Sequence, residues 1–218
     1  MHLKGWGAYV WKPYVLEKAF EKFSDSDLFF YIDSGSELNI NNNTKNRFEE
    51  YLSLAEKNDI FAMLSKDIES NLAHCSVIDR LYPEGKNEPH FQAAFFIFKN
   101  NEKSLSIIRE WKEECVKDNY FNVNPPELFK CCDFWGNIHL HDQPVISCIL
   151  KKHKVEGIQD ESSWHWIPGT LEELNNKYPI FHARNQSKQS VLNRYCLEYN
   201  EHRKCIHEGN CPDLIKVR

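Results

Sequence analysis

The sequence predicts a single α/β domain with a mostly parallel central sheet flanked by helices. Leu28–Ile32 and Phe91–Phe98 are continuous apolar runs of strand length, which is typical of strands buried on both faces of a sheet. Segments with helical periodicity alternate with strand-like runs along most of the chain. A length of 218 residues is enough to bury one sizeable core. We therefore expect one domain over 1–218, with a core over 1–186 and a helical extension over 187–218.

Apolar residues at spacings of three and four predict the helices, and short runs rich in aromatic and β-branched residues predict the strands. Pro13 suits a first helical turn, so the first helix should begin near Lys12. In chain order we expect a helix over 12–23, a strand over 28–32, a helix over 45–57, strands over 60–64 and 91–98, helices over 102–116 and 142–152, a strand near Val155, a helix over 171–176, a strand over 179–182 and a helix over 189–202.

Composition and charge exclude several classes of protein. The 27 basic and 32 acidic residues give a net charge of -5, and no segment gathers enough Lys and Arg to follow a nucleic-acid backbone. No apolar run approaches the ~20 residues of a membrane-spanning helix, and the first residues lack the apolar core of a secretion signal. Eight cysteines without such a signal favour reduced thiols, so we expect a cytoplasmic protein. From the charge pattern we expect no nucleic-acid partner.

Four side chains of the metal-ligating types lie near the C-terminus and offer one alternative, a small zinc-stabilised structural protein. They are His202, Cys205, His207 and Cys211, all within ten residues. Their spacing matches no common zinc template, so the sequence favours ordinary surface residues at these positions.

An acidic residue, Asp33, follows the first buried strand and precedes the small residues Ser34 and Gly35. In open α/β sheets, ligands bind beyond the carboxyl ends of the strands. A carboxylate placed there can hold a divalent cation, which in turn neutralises a diphosphate. Because Asp also commonly stabilises turns, a role confined to the turn is the alternative.

Polar side chains cluster again in His139–Pro144, at the start of a predicted helix. Asp142 suits the N-cap position, where its carboxylate would accept a backbone N–H. Equally, two imidazoles, a carboxylate and a carboxamide within five residues could bind a polyhydroxylated substrate or deprotonate a hydroxyl. A third candidate is His182, after a short apolar strand, with Arg184 two positions on, because Arg is well matched to phosphate oxygens.

Five segments of the chain, taken in order, resemble a group of glycosyltransferases of the GT-A superfamily found in bacteria and large viruses. They are Gly5–Pro13, Tyr31–Gly35, Gln92–Phe98 with Glu110 and Trp111, His139–Gln143 with Ile146 and Ser147, and His182 with Arg184. Their order and approximate spacing match over most of the chain. The resemblance implies a GT-A-like, Rossmann-like domain that transfers a sugar from a nucleotide-sugar donor to a glycan or another hydroxyl acceptor.

The resemblance also implies roles for particular residues. Asp33 matches the acidic motif that binds a divalent metal, Mn²⁺ or Mg²⁺, at the donor diphosphate. Because this sequence offers one carboxylate there instead of two, His182 is the expected second metal ligand, and Arg184 would face the diphosphate. Asp142 is the expected catalytic base. The other expected donor or substrate contacts are Trp11, Lys12, Ser34, Gly35, His141 and Gln143.

The expected function is therefore metal-dependent glycosyl transfer. The alternative, from a different class, is a non-catalytic carbohydrate-binding or interaction module on a degenerate GT-A scaffold. GT-A domains resemble a Rossmann half at their start, with a nucleotide-binding β-α-β unit of roughly 30 or more residues, whereas only 32 residues precede Asp33. The resemblance thus predicts an N-terminally shortened domain. The oligomeric state stays open, because the sequence shows no heptad pattern.

Overall fold

The computed structural model of the chain describes residues 9–117, 142–164 and 167–182. Within these residues, seven α-helices and six strands give the mixed α/β architecture that the sequence predicts. The predicted helix over 189–202, and the extension that contains it, lie outside the described residues.

The helices and strands alternate along the chain, with one 3-10 helix, Pro83–Asn87, between α4 and β4. Their bounds are α1 Trp11–Phe20, β1 Leu28–Ile32, β2 Ser36–Leu38, α2 Lys45–Asn58, β3 Ile60–Ile68, α3 Glu69–Leu72, α4 Cys75–Leu81, β4 Pro89–Lys99, α5 Glu102–Lys117, α6 Gln143–Lys152, β5 Ile158–Gln159, α7 Leu171–Lys177 and β6 Ile180–His182. Every predicted element within the described residues is confirmed to within a few residues. β2, α3, α4 and the 3-10 helix were not predicted, because each is too short to show a clear period.

The chain divides into two compact units. The first contains the chain up to Asp33 together with Glu49–Asp160, and the second contains Ser34–Phe48 together with the chain from Glu161 onward. The four-stranded sheet belongs to the first unit and the two-stranded sheet to the second.

The four-stranded sheet has the strand order β1-β4-β3-β5. β4 is antiparallel to both of its neighbours, β1 and β3. Within the described residues, only the short β5 forms a parallel pair, with β3. The prediction of a mostly parallel sheet is therefore wrong. Continuous apolar runs indicate burial on both faces, but burial does not determine strand direction. Here the connection from β3 to β4 folds into short helices and returns the chain antiparallel.

Aromatic side chains cover both faces of β4. On one face Phe96 packs against Trp111 of α5, with ring centroids 6.1 Å apart. On the other face Phe95 lies 5.8 Å from Phe61, which stacks on Tyr51 at 4.6 Å. Each of these five rings is at most 2% exposed. These aromatic side chains are therefore part of the core.

The second unit has a small core of its own. β2 and β6 form an antiparallel pair in which Ser36 lies opposite His182. The buried side chains of this core are Trp164, Leu174, Tyr178 and Phe181. α7 begins with a capping box, in which the Thr170 hydroxyl accepts from the Glu173 N–H and the Glu173 carboxylate accepts from the Thr170 N–H.

Two sequence-based expectations about the environment of the chain can be compared with the structure. Among the described residues, no helix combines the length and apolar character needed to cross a membrane. Cys115 and Cys148 are buried free thiols, as expected, but Cys75 is disulfide-bonded, so the expectation of reduced thiols is wrong for this residue. The cytoplasmic location stays a prediction, and the group of possible zinc ligands over 202–211 lies outside the described residues.

A charged cluster with almost no solvent exposure fixes one side of α6 in the first unit. Glu69 accepts hydrogen bonds from the Lys151 ammonium at 2.7 Å and from the Ser147 hydroxyl, and it lies 2.7 Å from His90 Nδ1. Ser147 Oγ in turn accepts from the Phe91 N–H of β4 at 2.7 Å. Burial raises the pKa of Glu69, but His90 and Lys151 outweigh that effect, so its pKa is lowered overall. Glu69 is therefore a carboxylate whose charge is balanced inside the fold.

Replacing this buried charge should strongly destabilise the first unit. In Glu69→Gln the Lys151 ammonium stays buried without an opposite charge, a situation that costs about 3–5 kcal/mol. We expect a reduction of that order in the free energy of unfolding, measured by urea denaturation at neutral pH. The difference should shrink as the pH falls below the ordinary glutamate range, because a carboxylate with a lowered pKa contributes stability only while it is ionised.

Glu21→Gln is the matched control, since Glu21 pairs with Lys18 on the exposed surface of the same unit. Surface pairs of this kind contribute little, so we expect no measurable change for the control. Equal effects of the two substitutions would show that the buried cluster does not stabilise the fold in this way.

Candidate functional site

Three charged residues, each predicted to be functional and each from a different part of the sequence, meet in the first unit. Lys12 lies in the first turn of α1, Asp33 directly follows β1, and Asp142 directly precedes α6. The Lys12 ammonium is 3.3 Å from Asp33 Oδ1 and 3.3 Å from Asp142 Oδ2. We call Lys12, Asp33 and Asp142 the charged triad.

Neighbouring residues of β4 position two members of the triad. The Asp33 N–H donates to the Ala94 carbonyl at 2.9 Å, which extends the β1–β4 pairing one residue beyond the strand. The Lys12 ammonium donates to the Ala93 carbonyl at 3.2 Å. α6 packs against β4 and α5, and α1 also packs against α5, so the elements that carry the triad share the same core.

Lys12 is an unusual residue for its position. The first turn of a helix carries partial positive charge, which disfavours a cation there, and a lysine is rarely buried unless it is paired. Yet the Lys12 side chain is only 4% exposed. Besides the two carboxylates, its ammonium faces the ring of Tyr9 at 4.9 Å and the ring of Tyr31 at 5.6 Å. Oxygen ligands and aromatic faces together form an enclosed cation site.

Asp142 occupies the N-cap position of α6 but does not cap the helix. Its backbone is helical, and its side chain makes no capping hydrogen bond. The capping role that the sequence allowed is therefore wrong, because the carboxylate turns to Lys12 instead. Within the described part of the chain, Asp142 Oδ2 forms an ion pair but makes no hydrogen bond of good geometry.

The environment of Asp142 raises the pKa of its carboxyl group to near neutral pH. Burial raises the pKa of Asp142 to about 7, with Asp33 adding to the rise and Lys12 opposing it. Burial likewise raises the pKa of Cys115 on α5, and the nearby Asp142 charge adds to this effect, so that thiol stays neutral. Asp142 is thus a carboxyl group that can take up or release a proton under ordinary conditions.

Tyr31 completes the site and was not among the predicted site residues. Its hydroxyl donates to Asp33 Oδ1 at 2.5 Å. Burial and the Asp33 charge raise the pKa of Tyr31, so the hydroxyl keeps its proton and serves as a donor. The sequence held one usable signal, because residues two apart on a strand point to the same face. Tyr9 was missed as well, although it precedes Lys12 by only three residues and its carbonyl accepts from the Lys12 N–H at 3.0 Å.

The described contacts of Asp33 do not fit the divalent metal that the resemblance implies. Asp33 Oδ1 already accepts from Tyr31 and lies beside the Lys12 ammonium. A divalent ion needs several oxygen or imidazole ligands. In the described ranges, no group of three or more His, Cys, Asp or Glu side chains could hold a metal ion. The metal-binding roles of Asp33 and His182 stay predictions.

The other predicted site residues fall into three groups. Trp11 is 41% exposed on α1, and Gln143 is the half-buried first residue of α6, both in the first unit. Ser34, Gly35 and His182 belong to the second unit, where Ser36 Oγ lies 2.7 Å from His182 Nδ1. His141 and Arg184 lie outside the described residues.

No family model matches this sequence, and no curated protein matches it either. Function must therefore be inferred from the site itself, since a fold class alone does not define an activity. Lys12, Asp33 and Asp142 belong to three of the segments that carry the GT-A resemblance. Within the described residues, these three side chains lie together at one site.

The raised pKa of Asp142 predicts a distinctive pH dependence of stability. In the unfolded chain an aspartate loses its proton near pH 4, whereas in the folded protein Asp142 keeps it up to about pH 7. The folded state therefore binds more protons over this interval, and this group lowers the free energy of unfolding as the pH rises. We compare the free energy of unfolding of Asp142→Asn with that of wild type by urea denaturation. As the pH rises from about 4 to about 7, this difference should change by up to about 4 kcal/mol in favour of the variant.

Asp67→Asn, which changes an exposed aspartate on β3, provides the control. Its stability should run parallel to that of wild type across the same pH interval. A parallel curve for Asp142→Asn as well would mean that Asp142 titrates in the ordinary aspartate range.

Proposed function

We propose that the charged triad is the reaction centre of a glycosyltransferase on a GT-A-like fold. The chain would transfer a sugar from a nucleotide-sugar donor to a hydroxyl group of a glycan or another acceptor. One observation carries the proposal: Lys12, Asp33 and Asp142 come from three distant segments of the sequence and converge at the end of β1. Charges are costly to bury, and such convergence is more typical of functional sites than of ordinary packing.

Asp142 has the properties expected of the general base. A base works best when its pKa lies near the operating pH, and the pKa of Asp142 is about 7. Its Oδ2 forms an ion pair with the Lys12 ammonium at 3.3 Å but makes no hydrogen bond of good geometry within the described part of the chain, so this oxygen has capacity left to accept a proton from an acceptor hydroxyl. The protonated side chain of Asp142 is then a neutral carboxyl group, and burial favours this uncharged form.

Asp33 and Lys12 have complementary tasks in this proposal. Asp33 keeps 29% exposure of its side chain, so it is the member of the triad that a ligand can reach most easily. Tyr31 and Lys12 hold its Oδ1 in place, which fixes the orientation of the carboxylate towards the ligand. Lys12 also keeps Asp142 close to Asp33, since its ammonium contacts both carboxylates.

The alternative is a carbohydrate-binding module without catalysis. One observation favours it: the side chains of Lys12 and Asp142 are only 4% and 3% exposed, as expected of charges that stabilise a fold. In that case Asp33 alone would contact a sugar. The two proposals differ in turnover, because a binding module retains glycans but consumes no donor.

The full chain should release nucleoside diphosphate from at least one member of a panel of nucleotide-sugars when simple glycosides are present as acceptors. Asp142→Asn removes the base and should lower kcat by about 10²–10⁴-fold, the usual contribution of general base catalysis. KM should change little, because an asparagine preserves the size of the side chain and keeps one acceptor oxygen. Coupled assays of nucleoside diphosphate release provide the measurement.

The control variant is again Asp67→Asn, which should retain the kcat of wild type because this residue is exposed on β3 and is not a member of the triad. Glycan binding without consumption of any donor would favour the binding module. Equal activity of wild type and Asp142→Asn would exclude Asp142 as the base.

A further inference from the structure

We infer that the Lys12 ammonium is the resident cation of this site, so that no divalent metal binds at Asp33 and the exposed part of Asp33 accepts hydrogen bonds from neutral sugar hydroxyls. The identity of the ligand rests on the proposed function. The statement about the cation does not, because it follows from the contacts of Lys12 alone.

The ammonium has the contacts of a bound cation. Carboxylate oxygens of Asp33 and Asp142 lie at 3.3 Å each, and the Ala93 carbonyl accepts at 3.2 Å. The rings of Tyr9 and Tyr31 cover further sides of the ammonium. These five groups come from the start of α1, the end of β1, β4 and the residue before α6. None of them would be needed to accommodate a lysine that could simply extend into solvent.

A divalent ion would compete directly with this arrangement. An ion bound to Asp33 Oδ1 would approach the Lys12 ammonium closely, and like charges repel strongly where water is largely excluded. The same oxygen already accepts the Tyr31 hydroxyl. Asp142, the other carboxylate within reach of Lys12, already forms an ion pair with the ammonium, and its side chain is only 3% exposed.

Neutral hydroxyl groups fit the remaining surface better. With one ammonium between two carboxylates, the triad carries no excess positive charge that would attract a diphosphate. A carboxylate acts only as an acceptor and can accept hydrogen bonds from more than one hydroxyl group. The 29% exposed side chain of Asp33 is therefore suited to the hydroxyls of a sugar.

The direct test is Mn²⁺ binding to the full chain, measured by electron paramagnetic resonance and calorimetry on wild type and Asp33→Asn. We expect the two proteins to bind Mn²⁺ equally, because Asp33 is not a metal ligand in the presence of Lys12. Mn²⁺ binding by wild type that disappears in Asp33→Asn would overturn the inference.

Removing the charge of Lys12 should create a metal site. Lys12→Met keeps an unbranched apolar stem but leaves Asp33 and Asp142 around a position without a cation. We expect Mn²⁺ to bind this variant about tenfold more tightly than wild type, or better, and the gain to vanish in Lys12→Met/Asp33→Asn. If the single variant does not fold, the comparison of wild type with Asp33→Asn still decides the question.

Turnover separates this inference from the proposed function. Glycosyl transfer by wild type should persist in EDTA, and Asp33→Asn should raise KM by roughly tenfold or less, since an amide oxygen still accepts a hydroxyl proton. Turnover that EDTA abolishes and Mn²⁺ restores would overturn the inference while supporting glycosyl transfer. Absence of turnover with every donor would reject glycosyl transfer, and the Mn²⁺ measurements would still decide the role of Lys12.

Discussion

Burial of the Lys12 ammonium between Asp33 and Asp142 is the constraint on which the candidate site depends. Removing one member of such a group leaves an uncompensated charge in a region of low polarity, which is far more costly than the intact group. The contacts among the three residues in the folded first unit avoid that cost. Their meeting fixes the start of α1, the residue after β1 and the residue before α6 relative to one another. A short-range electrostatic requirement thus determines where distant segments lie.

α6 is held in the same way at both ends. Its first turn adjoins Asp142 of the triad, and its later turns carry Ser147 and Lys151, which hydrogen-bond to Glu69. Between them, all residues from Pro144 to Lys151 are buried. Apolar burial supplies most of the stability of such a helix, but it allows small rotations and shifts along the axis. Polar contacts at fixed positions restrict those movements, and this is how α6 can present Asp142 in one orientation.

The sequence predicted the elements better than their arrangement, for physical reasons. Helical periodicity and apolar runs depend on local burial, so α5 and β1 were predicted almost to the residue. The direction of β4 depends on how a connection folds, and a strand buried on both faces carries no sign of it. Asp33, Asp142 and Lys12 were each predicted as site residues, but the ion pairs that join them are tertiary. Tyr31 was missed, although its position two residues before Asp33 on one strand face was a usable signal.

The choice of lysine for the centre of the triad also has a physical explanation. An ammonium is a compact point charge that can contact oxygens and aromatic faces on several sides, whereas a guanidinium is planar and favours paired contacts with one carboxylate. Lys12 contacts oxygens from three residues and the faces of two rings, an arrangement that suits the ammonium. Burial raises the pKa of Asp142 to about 7, while the contributions of its two neighbours oppose each other, since Lys12 lowers the value and Asp33 raises it. The protonation of Asp142 therefore depends on both neighbours, and the ammonium that joins the two carboxylates also couples their charges.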